Sequence, residues 1–165
     1  MTDELLESER RIVTSREEVL ATTVQIASRA ERTLTILTPD LEPGLYDNEQ
    51  FLDAIKRLVL AKSYSRVRAL ISNPARAVRT GNKFVALAAR LNTCIDIRNL
   101  HEKYRGSIND AFIIADDKVI LYRADGRAND GIMGTHEPEV ARQHLDDFAQ
   151  PWEESAFKLH ARQSY

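Results

Sequence analysis

A chain of 165 residues, 43% hydrophobic and 29% charged, has the length and balance of one water-soluble domain able to bury its own core without metal or disulfide staples. No apolar run approaches the roughly 18 residues that span a bilayer. The acidic, polar start "MTDELLESERR" lacks the basic residues and apolar stretch of a signal peptide, and the single Cys94 can form no internal disulfide, so the cytoplasm is the expected compartment, with no membrane contact. The net charge of -2 conceals an asymmetry: Lys62 to Arg105 holds ten Lys or Arg against only Asp96 and Glu102, a local +8 that leaves -10 for the rest. Such a split marks an anion-binding face, a solvated surface or a contact with an acidic partner chain.

The first fourteen residues read as an extension ahead of one domain over 15–165, its first dozen frayed. Ser15-Arg16-Glu17-Glu18 has the form of a capping box, and Val19, Val24, Ile26 and Ala27 carry a helix to about Glu31. "TLTILT", 33–38, is a short β-branched strand that stops at Pro39. Asp47, with Gln50 three residues on, is the expected N-cap of a helix whose face is Phe51, Leu52, Ile55, Leu58 and Val59. "RVRALIS", 66–72, is the second strand. The segment "ARAVRTGNKFVALAARLN" predicts a basic turn or short helix, a break at Gly81 and a helix carrying Phe84, Val85, Leu87, Ala88 and Leu91. "CIDIRNL", 94–100, is the third strand, with Cys94 a small buried apolar residue on it.

A polar connection leads to a hairpin: Ala111 to Ala115 and Val119 to Tyr122 are apolar, β-branched runs joined by the tight turn Asp116-Asp117-Lys118. A Gly- and Asp-rich loop is expected from Ala124 to His136. Pro138 then opens a helix that buries Val140, Ala141, Leu145, Phe148 and Trp152, and Pro151 is expected to kink or end it near its last turn. Helices alternating with short apolar strands, then two strands close enough to pair, give an α/β sandwich with a mixed sheet flanked by helices.

This order of elements resembles a single half of the phospholipase D superfamily over about residues 15 to 155. The likeness is carried by "TLTILTPDL", by "FLDAIKRLVL" followed by "RVRALIS", by "FVALAARLNTCIDIRNL", by the hairpin, and by "FAQPWEES", similar to the Phe-x-x-x-Trp-x-x-Ser ending common there. The diagnostic motif of that superfamily is His-x-Lys-x-x-x-x-Asp, on the strand that "INDAFIIAD" supplies. Residues i and i+2 project from one face of a strand, so a histidine and a lysine there reach one phosphoryl group together. In the superfamily the histidine attacks phosphorus, a second histidine from the paired half protonates the leaving group, and lysines hold the charged oxygens.

In this chain Asn109 takes the histidine place, Ala111 the lysine place and Asp116 the aspartate place. An Asn amide forms no stable phosphoenzyme and shuttles no protons near pH 7, and Ala111 carries no charge. Gly126-Arg127-Ala128-Asn129 is a loose echo of the superfamily's Gly-Ser-x-Asn element, with Arg127 in place of the hydroxyl residue. The resemblance therefore implies a catalytically inactive, phospholipase D-like binding or scaffold domain for a phosphate-containing or acidic ligand, nucleic acid included, assembled as a homodimer whose contact lies near the hairpin.

Arg76, Arg79 and Lys83 are the candidate anion-binding residues, beside the second strand's end, where ligands bind open α/β sheets and where the Arg fork suits phosphate. Two alternatives stand. His101-Glu102-Lys103 is also His-x-Lys, a displaced site for an active phosphodiesterase or nuclease, although its turn-like surroundings read as a polar connecting loop. A purely structural protein-interaction domain is the other. His136, His144 and His160 show no metal-ligand spacing, Asp116-Asp117 reads as turn chemistry rather than a cation site, and no phosphate-loop or dinucleotide fingerprint occurs; no metal or cofactor is expected.

Overall fold

The computed structural model describes residues 7–74 and 82–157. Its described strands form one eight-stranded mixed sheet. In chain order the elements are β1 (Arg10–Val13), α1 (Arg16–Arg29), β2 (Thr33–Thr38), α2 (Glu49–Ala61), β3 (Arg66–Ile71), α3 (Lys83–Arg90), β4 (Ile95–Asn99), a 3-10 turn (Glu102–Tyr104), β5 (Ala111–Ala115), β6 (Val119–Arg123), β7 (Gly131–Gly134), α4 (Pro138–Glu154) and β8 (Ala156–Phe157). The strand order across the sheet is β1-β7-β6-β5-β2-β3-β4-β8. β2, β3 and β4 run parallel, each reached through a helix, while β5 pairs antiparallel with β2 in the register Leu34 to Ala115 and Leu37 to Phe112. The expected α/β sandwich with a mixed sheet is the observed architecture.

Period-two alternation sorts the central strands between two layers. Leu34, Ile36, Val67, Ala69, Ile95, Ile97, Ile113 and Leu121 face α1, α2 and α3, where Tyr46, Phe51 and Phe84 stack edge to face. Leu37, Leu70, Phe112, Ile114 and Ile120 face α4 and its Phe148 and Trp152. Because both faces are covered, "AFIIA" is buried at every position, which is why it reads as an apolar run rather than an alternation. Two guanidinium groups pin α4 to the sheet: Arg98 lies 4.2 Å from the Trp152 ring centroid and donates to the Trp152 carbonyl at 2.9 Å, and Arg68 lies 5.1 Å from the Phe148 centroid.

Several local expectations hold and others are corrected. Ser15 and Glu18 form the reciprocal capping box that starts α1. The N-cap of α2 is Asn48, which accepts from Phe51 N at 2.9 Å, not Asp47; Asp47 accepts from Gly44 N instead and closes the preceding turn. Residues 10–13, expected within a frayed extension, form β1 because β7 offers it a partner, pairing Ile12 with Ile132. β7 was expected to be loop. Its glycines hid it, and Gly131 is required there, since a Cβ would lie 2.8 Å from the Tyr122 carbonyl oxygen.

In α4, Val140 is exposed rather than buried, because the helix turns its first turn outward, and Leu145 is half-buried. Pro151 does not end the helix, which runs three residues further to Glu154. Ser155 Oγ donates to the Pro151 carbonyl at 2.6 Å and closes that terminus. Cys94 sits half-buried in the turn just before β4 instead of on the strand.

Candidate functional site

Parallel strands β2 and β3 finish at the same edge of the sheet where antiparallel β5 begins and β6 ends. Backbone bonds carry the ladder a step past the strands, with Ser72 N donating to the Thr38 carbonyl and Asn73 N to that of Pro39. The edge opens into a cleft of about 260 Å³ lined by Pro39, Ser72 and Asn73 from the strand ends, by Arg105 to Asn109 before β5, and by Arg127 from the β6–β7 loop. Gly106, Ile108 and Asn109 are the lining members of that second stretch besides Arg105.

The three motif positions diverge. Asn109 is exposed in the cleft, and its Nδ2 donates to the Gly106 carbonyl at 3.2 Å. Ala111 is fully buried and closed over: Gly126 packs so near that a Cβ there would be 3.3 Å from the Ala111 Cβ and 3.1 Å from Pro39 Cδ. Gly126 N also donates to the Asn109 carbonyl at 2.8 Å, which ties the β6–β7 loop over the lysine place. Asp116 stands at the far end of β5. With φ of 55° it begins the hairpin turn, and its carboxylate accepts the backbone N–H groups of Glu31, Arg32 and Thr33 at 2.7 to 3.2 Å. Asp116 is therefore turn chemistry, and it ties the start of β2 to the β5–β6 hairpin.

Below the cleft lies a buried ionic network that sequence reading missed. Arg123, cross-strand from Ala111 and 3% exposed, donates to Glu42 at 2.6 Å and to the carbonyls of Ala128 and Gly126. Glu42 also accepts from Arg16 at 3.1 Å and from Thr38 Oγ1 at 3.3 Å. Buried beside them, the Tyr46 hydroxyl is pushed well above the ordinary tyrosine range by desolvation and by the Glu42 charge. The signal for this network was an Arg at the end of an apolar strand and a Glu in a proline-bounded loop, but nothing in sequence paired positions 81 residues apart.

The other sequence candidates separate. Arg76 and Arg79 lie outside the described residues. Lys83 opens α3 and lines a different groove, between α2 and α3, with Glu49, Asp53, Lys56 and Arg90. His101 caps the 3-10 turn, its Nδ1 accepting from Lys103 N at 3.1 Å, while the Lys103 ammonium pairs with Glu154. Glu154 also accepts from Tyr104 Oη and Gln150, and these bonds hold its carboxyl down at about 2. Lys103 thus holds the connection against α4, while the His101 side chain caps the turn locally. The cleft's charge comes instead from Arg105, passed over as loop, and from Arg127, noted only as a substitution.

A mixed sheet between two helical layers, with a cleft where the parallel strands end and the antiparallel hairpin begins, is a phospholipase D-like fold. Solved structures share the fold. Nuc from Salmonella typhimurium, a phospholipase D family member, superposes with a TM-score of 0.62 at 16% identity over 92% of this chain and 98% of that one. NucT from Helicobacter pylori gives 0.62 at 13% over 92% and 99%. TrmBL2, an archaeal chromatin protein with a novel mode of DNA binding, gives 0.62 at 12% over 92% of this chain and 56% of its own. No curated protein matches. The chain belongs to the DUF7931 family, a domain of unknown function, whose model matches residues 15–163. No helix among the described residues is long and apolar enough to cross a membrane.

Proposed function

We propose that this domain is a non-hydrolytic, phospholipase D-like module that binds a phosphate-bearing or acidic ligand in the cleft at the ends of β2 and β3. One observation carries the reading: the described lining holds two arginines, a serine and two asparagines, and neither a carboxylate nor a histidine or lysine. Arginine guanidinium groups and amide or hydroxyl donors suit phosphate oxygens, whereas in-line displacement needs a nucleophile and a general acid. Ser72 has a hydroxyl but no base in the described lining to activate it. The buried, closed-over Ala111 supports the same reading, since the place of a phosphate-holding lysine is packed shut. DNA binding by TrmBL2 makes nucleic acid the first ligand to try, and Arg76 and Arg79, which follow Asn73 and Pro74 in sequence, are tested alongside the cleft arginines.

The domain acts as a homodimer in this reading. Ile12 and Ile132, opposite one another on β1 and β7, are 70% and 57% exposed and give the sheet an apolar patch next to the hairpin strand β6.

The test compares wild type with Arg105→Glu/Arg127→Glu and with Arg76→Glu/Arg79→Glu/Lys83→Glu for binding to single- and double-stranded DNA, RNA and phosphorylated small molecules across a salt series. Salt-sensitive binding lost in the Arg105/Arg127 pair is expected. Binding of none of these, or binding that neither salt nor charge reversal changes, overturns it. Phosphodiester turnover that vanishes in His101→Ala would instead establish the displaced active site, and a monomer by light scattering at micromolar concentration would remove the dimer.

A further inference from the structure

Of the two arginines in the described lining of the cleft, Arg127 has little to hold its side chain. It is 79% exposed, and its ion partner is Asp125, at 3.5 Å in the same loop. Where its charge stands is therefore decided by where its backbone stands, and that backbone is held from below. The buried Arg123 guanidinium donates through one terminal nitrogen to the carbonyls of Gly126, at 3.4 Å, and Ala128, at 2.9 Å, the two residues that flank Arg127. Its other terminal nitrogen donates to Glu42 at 2.6 Å.

Glu42 is itself fixed. Its second carboxylate oxygen accepts from Arg16 at 3.1 Å, and Arg16 also donates to the Pro43 carbonyl at 3.2 Å. One carboxylate thus cross-links the loop after β2, which brings Pro39 to the cleft, with the loop after β6, which brings Arg127. The same turn is closed from its own side, where Gly126 N donates to the Asn109 carbonyl at 2.8 Å and Arg127 N to the Asp125 carboxylate at 2.9 Å. A planar fork can donate in two directions at a fixed separation, which the point charge of a lysine cannot. Replacing a buried ion pair by apolar residues is often neutral for stability, so stability alone gives no reason for this one. A loop that must be ordered when the ligand arrives loses affinity to that ordering, whereas a loop already held does not.

We propose that Arg123 is a positioning residue of the cleft: through the Gly126 and Ala128 carbonyls it holds the backbone of Arg127, so that this guanidinium already stands at the cleft when an anion arrives. Arg123 itself, 3% exposed, does not touch the ligand. The role rests on the cleft binding phosphate.

The experiment is a double-mutant cycle read as the Kd for a fluorescently labelled oligothymidylate and for inorganic pyrophosphate at low salt. Arg127→Ala is made in wild type, in Arg123→Lys and in Arg123→Gln, each shown to be folded by its amide spectrum. In wild type Arg127→Ala should weaken binding about tenfold, the worth of one charge-assisted hydrogen bond. In either Arg123 background the same change should cost about twofold or less, because the loop no longer holds that guanidinium in place. An Arg123 that only stabilises the fold would leave the Arg127 cost at about tenfold in every background, which overturns the proposal. Amide exchange adds a check that needs neither ligand nor variant: Gly126 N–H should exchange in wild type at least about tenfold more slowly than in an unfolded chain, and an unprotected Gly126 overturns the proposal as well. Wild type that binds neither probe removes the phosphate reading of the cleft and the positioning role with it, whereas a constant Arg127 cost removes the positioning role alone.

Discussion

Ala111→Lys, which puts a lysine where the phospholipase D resemblance would have one, tests whether that place is closed. Ala111 has no exposed surface, Gly126 packs so near that a Cβ on it would lie 3.3 Å from the Ala111 Cβ, and its cross-strand neighbour Arg123 already fills the same face with a guanidinium bound to Glu42. A lysine there adds four carbons and an amine to a filled space. Overpacking costs about 1–3 kcal/mol, and desolvating the amine beside a like charge adds about 2 kcal/mol more. A total of about 3–5 kcal/mol corresponds, for a chain of this size, to a fall in Tm on the order of 6–20 °C.

The sign of the pH dependence follows from the amine. Burial lowers its folded pKa below the unfolded value of about 10.4, so between the two the unfolded chain binds more protons and the variant regains stability as pH rises. Thermal unfolding of wild type and variant at pH 7 and pH 9.5 measures both effects, with exposed Asn109→His expected within about 0.5 kcal/mol of wild type. An Ala111→Lys protein that melts like wild type at both pH values, or an Asn109→His/Ala111→Lys double variant that cleaves a phosphodiester, would show that the place opens to the cleft.

Three further outcomes follow. Arg123→Met leaves Glu42 buried with only Arg16 and Thr38, and two loop carbonyls without their donor, so urea unfolding should show a loss of about 3–5 kcal/mol; a loss under about 1 kcal/mol would mean that the network is already solvated. Asp116→Ala removes the acceptor of three backbone N–H groups and puts a Cβ-bearing residue without a polar tip at φ 55°, a loss of about 2–4 kcal/mol, of which Asp116→Gly should recover the conformational part, about 1 kcal/mol. Glu154, held at about 2 by Lys103, Tyr104 and Gln150, has a folded pKa below its unfolded value of about 4.3, so its contribution is full above pH 4.3 and fades as pH falls toward 2. Glu154→Gln should flatten that part of the acid limb of stability, and an unchanged acid limb would show that these bonds do not persist in solution.

The sequence alone determined what depends on neighbours in the chain. The Ser15 box, the β-branched run at Thr33–Thr38, the 3.6-residue face of α2 and the hairpin around Asp116-Asp117 are local, and each formed where its residues place it. Their alternation was enough for the sandwich, because an amphipathic helix following a short apolar strand has few other ways to bury its face. That Asn109 and Ala111 offer neither histidine nor lysine chemistry was equally legible, since side-chain identity needs no fold.

Tertiary structure decided whatever depends on distant partners. The short strand β1 holds only because β7, itself paired with β6, offers it a ladder, and no local propensity announces that. The choice of Asn48 over Asp47 as cap rested on where the preceding turn left each carbonyl and carboxylate. Above all, the cleft was drawn from Ser72, Arg105 and Arg127, which lie on three different loops, while Lys83, the one described member of the basic trio read from sequence, went to another groove. Charge along a chain is local, but the field at a site is the sum over whatever the fold brings to it, and only the sheet's mixed topology put those three loops at one edge.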